Sequence, residues 1–138
     1  MPQTYIRPEL LYAWHGQSQL IVNTHGDCGD DQTLSGFFFR ETRHLRTLRL
    51  TVDGREPWAS EAAVLGPTTL HFDYVHPEMH TFGGGGSGQS GDEVQTDDHG
   101  IPYRALDIHV ACELGIAELR VLLEVTNRSQ RDVSVEIG

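Results

Sequence analysis

The strongest constraint on the fold is a period of two in the last third of the chain. Leu106, Ile108, Val110, Cys112 and Leu114 alternate with Asp107, His109, Ala111 and Glu113. Leu119, Val121, Leu123 and Val125 alternate with Glu118, Arg120, Leu122 and Glu124. Successive side chains of a strand point to opposite faces, so each run carries one apolar and one largely polar face. Gly115 allows a reversal between them, and Asn127-Arg128-Ser129-Gln130 turns the chain again before Val133, Val135 and Ile137. Three such runs joined by short turns read as an antiparallel meander, one face in a core and the other in water. The third run stops at Gly138 with no turn or cap, which reads as a cut sheet.

The same alternation appears earlier. Leu48, Leu50 and Val52 oppose Thr47, Arg49 and Thr51 and lead into Asp53-Gly54. That dipeptide is a two-residue hairpin signal, because both central positions of the favoured turn need φ > 0. Leu70, Phe72 and Tyr74 face away from His71, Asp73 and Val75, while Trp58 to Leu65, rich in Ala and Glu, is ambiguous. The one helical turn expected is at Arg40 to His44. No internal repeat is visible. The pattern predicts an all-β protein, an antiparallel β-sandwich forming a single domain over residues 1–138, with a truncated supersandwich-like domain as a variant of that fold. Gly83 to Gly91 carries almost no side chains to pack and is followed by acids, so 83–98 is expected to be a flexible Gly/Ser-rich loop between strands.

Composition excludes several functions. The 138 residues contain 20 acids against 10 bases, all Arg, for a net charge of −10. Such a surface repels phosphate backbones and anionic membranes, so no nucleic-acid or membrane partner is expected. No apolar run approaches the roughly 20 residues of a membrane-spanning helix. No charged segment followed by an apolar one marks a signal peptide, and a cytoplasmic protein is the expectation. Cys28 and Cys112 are far apart in sequence, and in a cytoplasmic chain they are expected to be thiols, with Cys112 on the core side of its strand.

The most specific stretch runs from Gly36 to Gly54: Phe37-Phe38-Phe39, then Arg40-Glu41-Thr42-Arg43, then Leu48-Arg49-Leu50-Thr51-Val52-Asp53-Gly54. It resembles the N-terminal domain of bacterial amylo-α-1,6-glucosidase or glycogen-debranching-type proteins, where an aromatic run leads into Arg-Asp-Thr-Arg and a strand ending in Asn-Gly or Asp-Gly. Leu20 to Asp27 resembles that family's first strand and Gly-Asp loop. Glu41 stands where Asp is usual, and Asn23-Thr24-His25 departs from the more charged residues usual there. The resemblance implies a non-catalytic β-sandwich packing on a catalytic α/α-barrel and helping to shape its α-glucan or oligosaccharide site. The barrel, which carries the glycosidase carboxylates, is absent from this chain, so no catalytic residue transfers. The parent is then a glycoside hydrolase, and the fragment is not expected to be catalytic alone.

Five residues are the candidates for substrate binding or the domain interface: Asp27, Arg40, Thr42, Arg43 and Trp58. Guanidinium groups fork to carboxylates and bind hydroxyl-rich partners. Arg40 and Arg43 either line the seam with the barrel or tie their turn to the acidic loop of Asp27, Asp30 and Asp31. Trp14, Trp58, Tyr74 and Tyr103 are the rings able to stack on pyranose, with Trp58 the preferred exposed one and a core role the ordinary alternative for each. A self-standing carbohydrate-binding module and a purely structural interaction domain are the rival functions. Neither a cofactor nor a metal is expected. Asp27, Asp30 and Asp31 lack the Gly and terminal Glu of an EF-hand, and His71, His76 and His80 do not converge.

Overall fold

The computed structural model describes residues 10–29, 35–77, 96–97 and 100–138. The expected loop at 83–98 lies outside them apart from 96–97, as do Asp30, Asp31 and His80. The described residues form eight strands and no helix: β1 (Leu10–His15), β2 (Ser18–Asn23), β3 (Gly36–Phe39), β4 (Thr42–Leu45), β5 (Trp58–Val64), β6 (Thr69–His76), β7 (Leu106–Leu114) and β8 (Leu119–Asn127). They assemble into two four-stranded antiparallel sheets, each ordered as in the sequence, β1-β2-β3-β4 and β5-β6-β7-β8. The protein is all-β, as the alternation requires. No helix among these residues is long and apolar enough to cross a membrane.

The two sheets share one core. Ala13, Leu20, Val22 and Phe37 of the first meet Leu70, Phe72, Tyr74, Ile108, Val110, Cys112 and Leu114 of the second, with Cys28 and Val52 from the connections. This is the row of odd or even positions that the alternation assigned to the inside. Both cysteines are buried free thiols. Burying each large aliphatic or aromatic side chain contributes roughly 1.5–3 kcal/mol, which is why the inward rows are mostly apolar, with Ser18 and His76 as buried polar members. Ser18 donates through Oγ to the Ile116 carbonyl oxygen at 2.8 Å.

Three local expectations are corrected. Arg40 and Glu41 have φ of 50° and 64°, so the segment is a two-residue reversal between β3 and β4, not a helical turn. Residues 47–52 make only isolated bridges, Leu48 with Cys28 and Val52 with Arg55 and Ile137. The Asp53-Gly54 turn does form, with φ of 51° and 77° and reciprocal Val52–Arg55 backbone bonds at 2.7 and 3.1 Å. The run at 133–137 is not a third strand of the C-terminal meander. Asn127 Oδ1 accepts from the Ser129 N–H at 2.9 Å, and the Arg128 N–H donates to the Ala105 carbonyl oxygen at 2.7 Å. These bonds draw the chain off the sheet, Val133 and Val135 pack on Ile101, Ala105 and Leu106, and residues 136–138 join Thr51–Asp53. A further departure concerns β8, whose Val121, Leu123 and Val125 remain 42–45% exposed although they share a face with the core.

Candidate functional site

The outer face of the first sheet is built by the register of its strands. In β1, Ala13 turns inward, so Tyr12 and Trp14 turn outward, and both rings are more than half exposed at 51% and 55%. Trp14 lies opposite Gln19, Gln19 opposite Phe38, and Phe38 opposite Arg43. Directly opposed residues of antiparallel strands share a face. The result is a row across all four strands, indole, amide, phenyl and guanidinium, in which the Phe38 ring itself is only 9% exposed. The Arg43 guanidinium carbon lies 5.4 Å from the Phe38 ring centroid. Such a stack is worth about 0.5–1 kcal/mol where water reaches it, and it fixes the direction of the cation.

Gly36 makes this placement possible. Its φ is 135°, and a Cβ there would sit 2.3 Å from the Leu45 carbonyl oxygen and 3.4 Å from Arg43 Cγ. The register slips between Phe37 and Phe38, a bulge that turns Phe38 outward and Arg43 with it. One side of the row is bounded by two hairpin turns, Gly16–Gln17 and Arg40–Glu41. The Arg40 N–H donates to the Gln17 carbonyl oxygen at 3.2 Å, and Arg40 Nε to Gln17 Oε1 at 3.1 Å. Arg40 also stacks at 5.2 Å on Phe39. Gly16, Gln17, Gln19, Arg40 and Glu41 line a shallow cavity of about 500 Å³ there, and Thr42 begins β4 beside it.

Asp27 stands apart from that row, in the loop after β2. Asn23 Oδ1 accepts from the N–H groups of His25 and Asp27 at 2.9 and 3.0 Å, pinning the loop. Burial pushes the Asp27 carboxyl above its ordinary range, helped by Glu56 and opposed by Arg49, His25 and the Leu50 N–H. The loop and hairpin communicate at Cys28, whose backbone pairs with Leu48 and whose thiol feels both Asp27 and Arg43. Burial raises that thiol as well.

Trp58 falls on the other sheet. It opposes Val75, which opposes Asp107, and this line lies on the outer face of β5–β8. Its ring is 43% exposed and carries the Arg104 guanidinium at 5.9 Å. The same face holds Asp73 bonded to His109 Nδ1 at 2.6 Å, with the His71 ring edge-on to His109. The structure therefore sets Arg43 in the outer row with Arg40 at the hairpin beside it, turns Thr42 to the opposite side of β4 across from Phe39, and places Asp27 and Trp58 elsewhere. Tyr74 is buried and bonded, which removes it from the stacking candidates. Tyr12, Gln19 and Phe38 were not singled out from the sequence, although Tyr12-Ala13-Trp14 shows the alternation that aims both rings outward. No group of three or more His, Cys, Asp or Glu among the described residues can hold a metal ion.

Two meandering antiparallel sheets around one core, with an aromatic and polar row on an open face, define a β domain built to present a surface. The chain belongs to the family described as the N-terminal domain of (some) glycogen debranching enzymes, whose model matches residues 14–138. No curated protein and no solved structure matches it.

Proposed function

We propose that this chain is the non-catalytic β domain of a debranching-type α-glucosidase, and that it packs on the catalytic α/α-barrel and helps shape the α-glucan site. The observation that carries this reading is the Trp14–Gln19–Phe38–Arg43 row with Arg40 in the turn beside it. Sugar rings present apolar faces to aromatic side chains and hydroxyls to amides and guanidinium groups. Arg40 and Glu41 hold both left-handed positions of their turn without glycine, a cost of about 1 kcal/mol or more each that is typical of backbone held for a function. In this reading Arg40 and Arg43 face the barrel or the glucan, and Thr42, Asp27 and Trp58 serve the interface from the other side of β4, the loop and the second sheet.

Trp14→Ala and Arg43→Ala in the parent enzyme are expected to lower kcat/KM on a branched α-glucan by about tenfold, the equivalent of ~1.4 kcal/mol, with the β domain still folded. Full activity in both variants, or glucan cleavage by this chain alone, overturns the reading. The exposed Tyr12 and Trp14 favour a second reading, a module that binds glucan unaided. Amide spectra of the chain titrated with malto-oligosaccharide decide between them: shifts along the Trp14–Arg43 row mean autonomous binding, and unmoved peaks mean an architectural role.

A further inference from the structure

β8 is the edge of the second sheet, nine residues long, and among the described residues no strand pairs with its outer side. Its inward row continues the core of β7: Leu119 lies beside Leu114, Val121 beside Cys112, Leu123 beside Val110 and Val125 beside Ile108. The β7 members of those pairs are buried, whereas Val121, Leu123 and Val125 are 42–45% exposed. The first sheet packs chiefly on β5, β6 and β7. On the opposite face Leu122 is 47% exposed between Arg120 and Glu124. A long, straight apolar edge of this kind is a template for another strand.

The sequence of β8 says which strand fits. A two-fold axis can relate two copies of an antiparallel edge only through a residue that faces itself. With Leu122 on the axis, Arg120 faces Glu124 of the second copy on both sides. Val121 then faces Leu123 of the second copy, and Leu119 faces Val125 of the second copy. From 119 to 125 every opposed pair is apolar with apolar or cation with anion, the pairings that stabilise adjacent strands, and beyond them Glu118 faces the neutral Thr126. Moving the axis to Leu123 sets Glu124 against Leu122 and Leu119 against Asn127. Moving it to Val121 sets Arg120 against Leu122 and Glu118 against Glu124. Only the Leu122 axis is complementary.

We propose that the partner of β8 is a second copy of this chain, joined antiparallel through β8 with Leu122 on the two-fold axis, so that the two four-stranded sheets become one of eight. Arg120, which bonds Glu118 of its own chain at 3.2 Å, is then flanked by Glu118 and by Glu124 of the second copy. The joined rows of Leu119, Val121, Leu123 and Val125 form one apolar strip across the interface.

Sedimentation equilibrium on the full chain at roughly 100 µM, where interfaces of micromolar affinity are filled, is expected to give twice the 15.4 kDa monomer. Arg120→Glu puts two pairs of acids in opposition and Glu124→Arg two pairs of bases, so each variant alone is expected to self-associate at least tenfold more weakly. An equal mixture of the two restores both ion pairs and is expected to return the dimer, an outcome that also shows both variants folded. Leu122→Arg, at an exposed position away from the core, sets two cations on the axis and is expected to give a monomer with an unchanged amide spectrum. A monomeric wild type, variants that dimerise like the wild type, or a mixture that stays monomeric overturns the proposal.

Discussion

The Tyr74 hydroxyl, in the middle of β6, donates to the carbonyl oxygen of His25 in the loop after β2. This bond ties the second sheet to the loop after β2, and burial holds the phenol well above its ordinary pKa. Removing the donor leaves the His25 carbonyl oxygen without this partner. Tyr74→Phe is therefore expected to lower stability by about 1–2 kcal/mol in urea unfolding. Gly26→Ala should cost more, because Gly26 has φ of 78° and a Cβ would lie 2.5 Å from that hydroxyl. A Gly26→Ala variant as stable as the wild type would refute the close packing of loop on strand.

Asp27 makes a pH prediction. Burial, and Glu56 after it, raise its carboxyl above the unfolded value of 3.8, so the folded protein binds that proton more tightly than the unfolded chain. The stabilisation this gives is fully present below 3.8 and is lost as pH rises through the folded value. Asp27→Asn, whose amide oxygen still accepts from Leu50, is expected to be more stable than the wild type at pH 7 and to lose that advantage at pH 3. Urea midpoints at the two pH values measure it, and a destabilised Asn variant at pH 7 contradicts it.

At the alkaline end the buried thiols act. Burial, with Cys28 nearby, pushes Cys112 up from 9.0 to about 11. Its contribution to stability is whole below 9.0 and disappears as pH rises through about 11, on the order of 2–3 kcal/mol in all. Cys112→Ala is expected to start less stable and to show a flatter decline over that interval. In the wild type, iodoacetamide should label Cys28 and Cys112 only at the rate at which the protein opens.

The two reversals give a matched pair. Glu41 occupies a left-handed position at φ of 64°, so Glu41→Gly is expected to raise stability by about 0.5–1 kcal/mol. Gly54 has φ of 77° and open space around it, so Gly54→Ala should cost about 1 kcal/mol from the backbone alone. Thermal unfolding of both variants tests the sign. A stabilised Glu41→Gly that weakens the parent enzyme on glucan would tie the strained turn to function.

The strands that alternate strictly were legible: β6, β7 and β8 fall where Leu70–Tyr74, Leu106–Leu114 and Leu119–Val125 set them. What the pattern could not supply was partnership. Leu48 and Val52 alternate like strand residues but meet Cys28 and Ile137 from distant segments, and Val133–Ile137 leaves its sheet because of a side-chain bond from Asn127. Alternation reports which side of a chain is apolar, not whether anything lies over it, and so the uncovered β8 escaped it. The same limit applies at the site. Arg40, Thr42 and Arg43 were visible as a run, whereas the alignment of Arg43 with Trp14 and Gln19 depends on three strand registers and the bulge after Phe37.

Both sheets run in sequence order, so nearly every backbone pairing joins neighbours in the chain. A chain wired in this way can close each sheet locally, before the other exists, and the loop entropy of long-range pairing hardly slows it. The two halves then meet through side chains and a few stitches such as Trp14 to Pro67 and Thr51 to Gly138. A β domain so arranged can be assembled as it leaves the ribosome, half by half, ready to receive whatever it is to dock against.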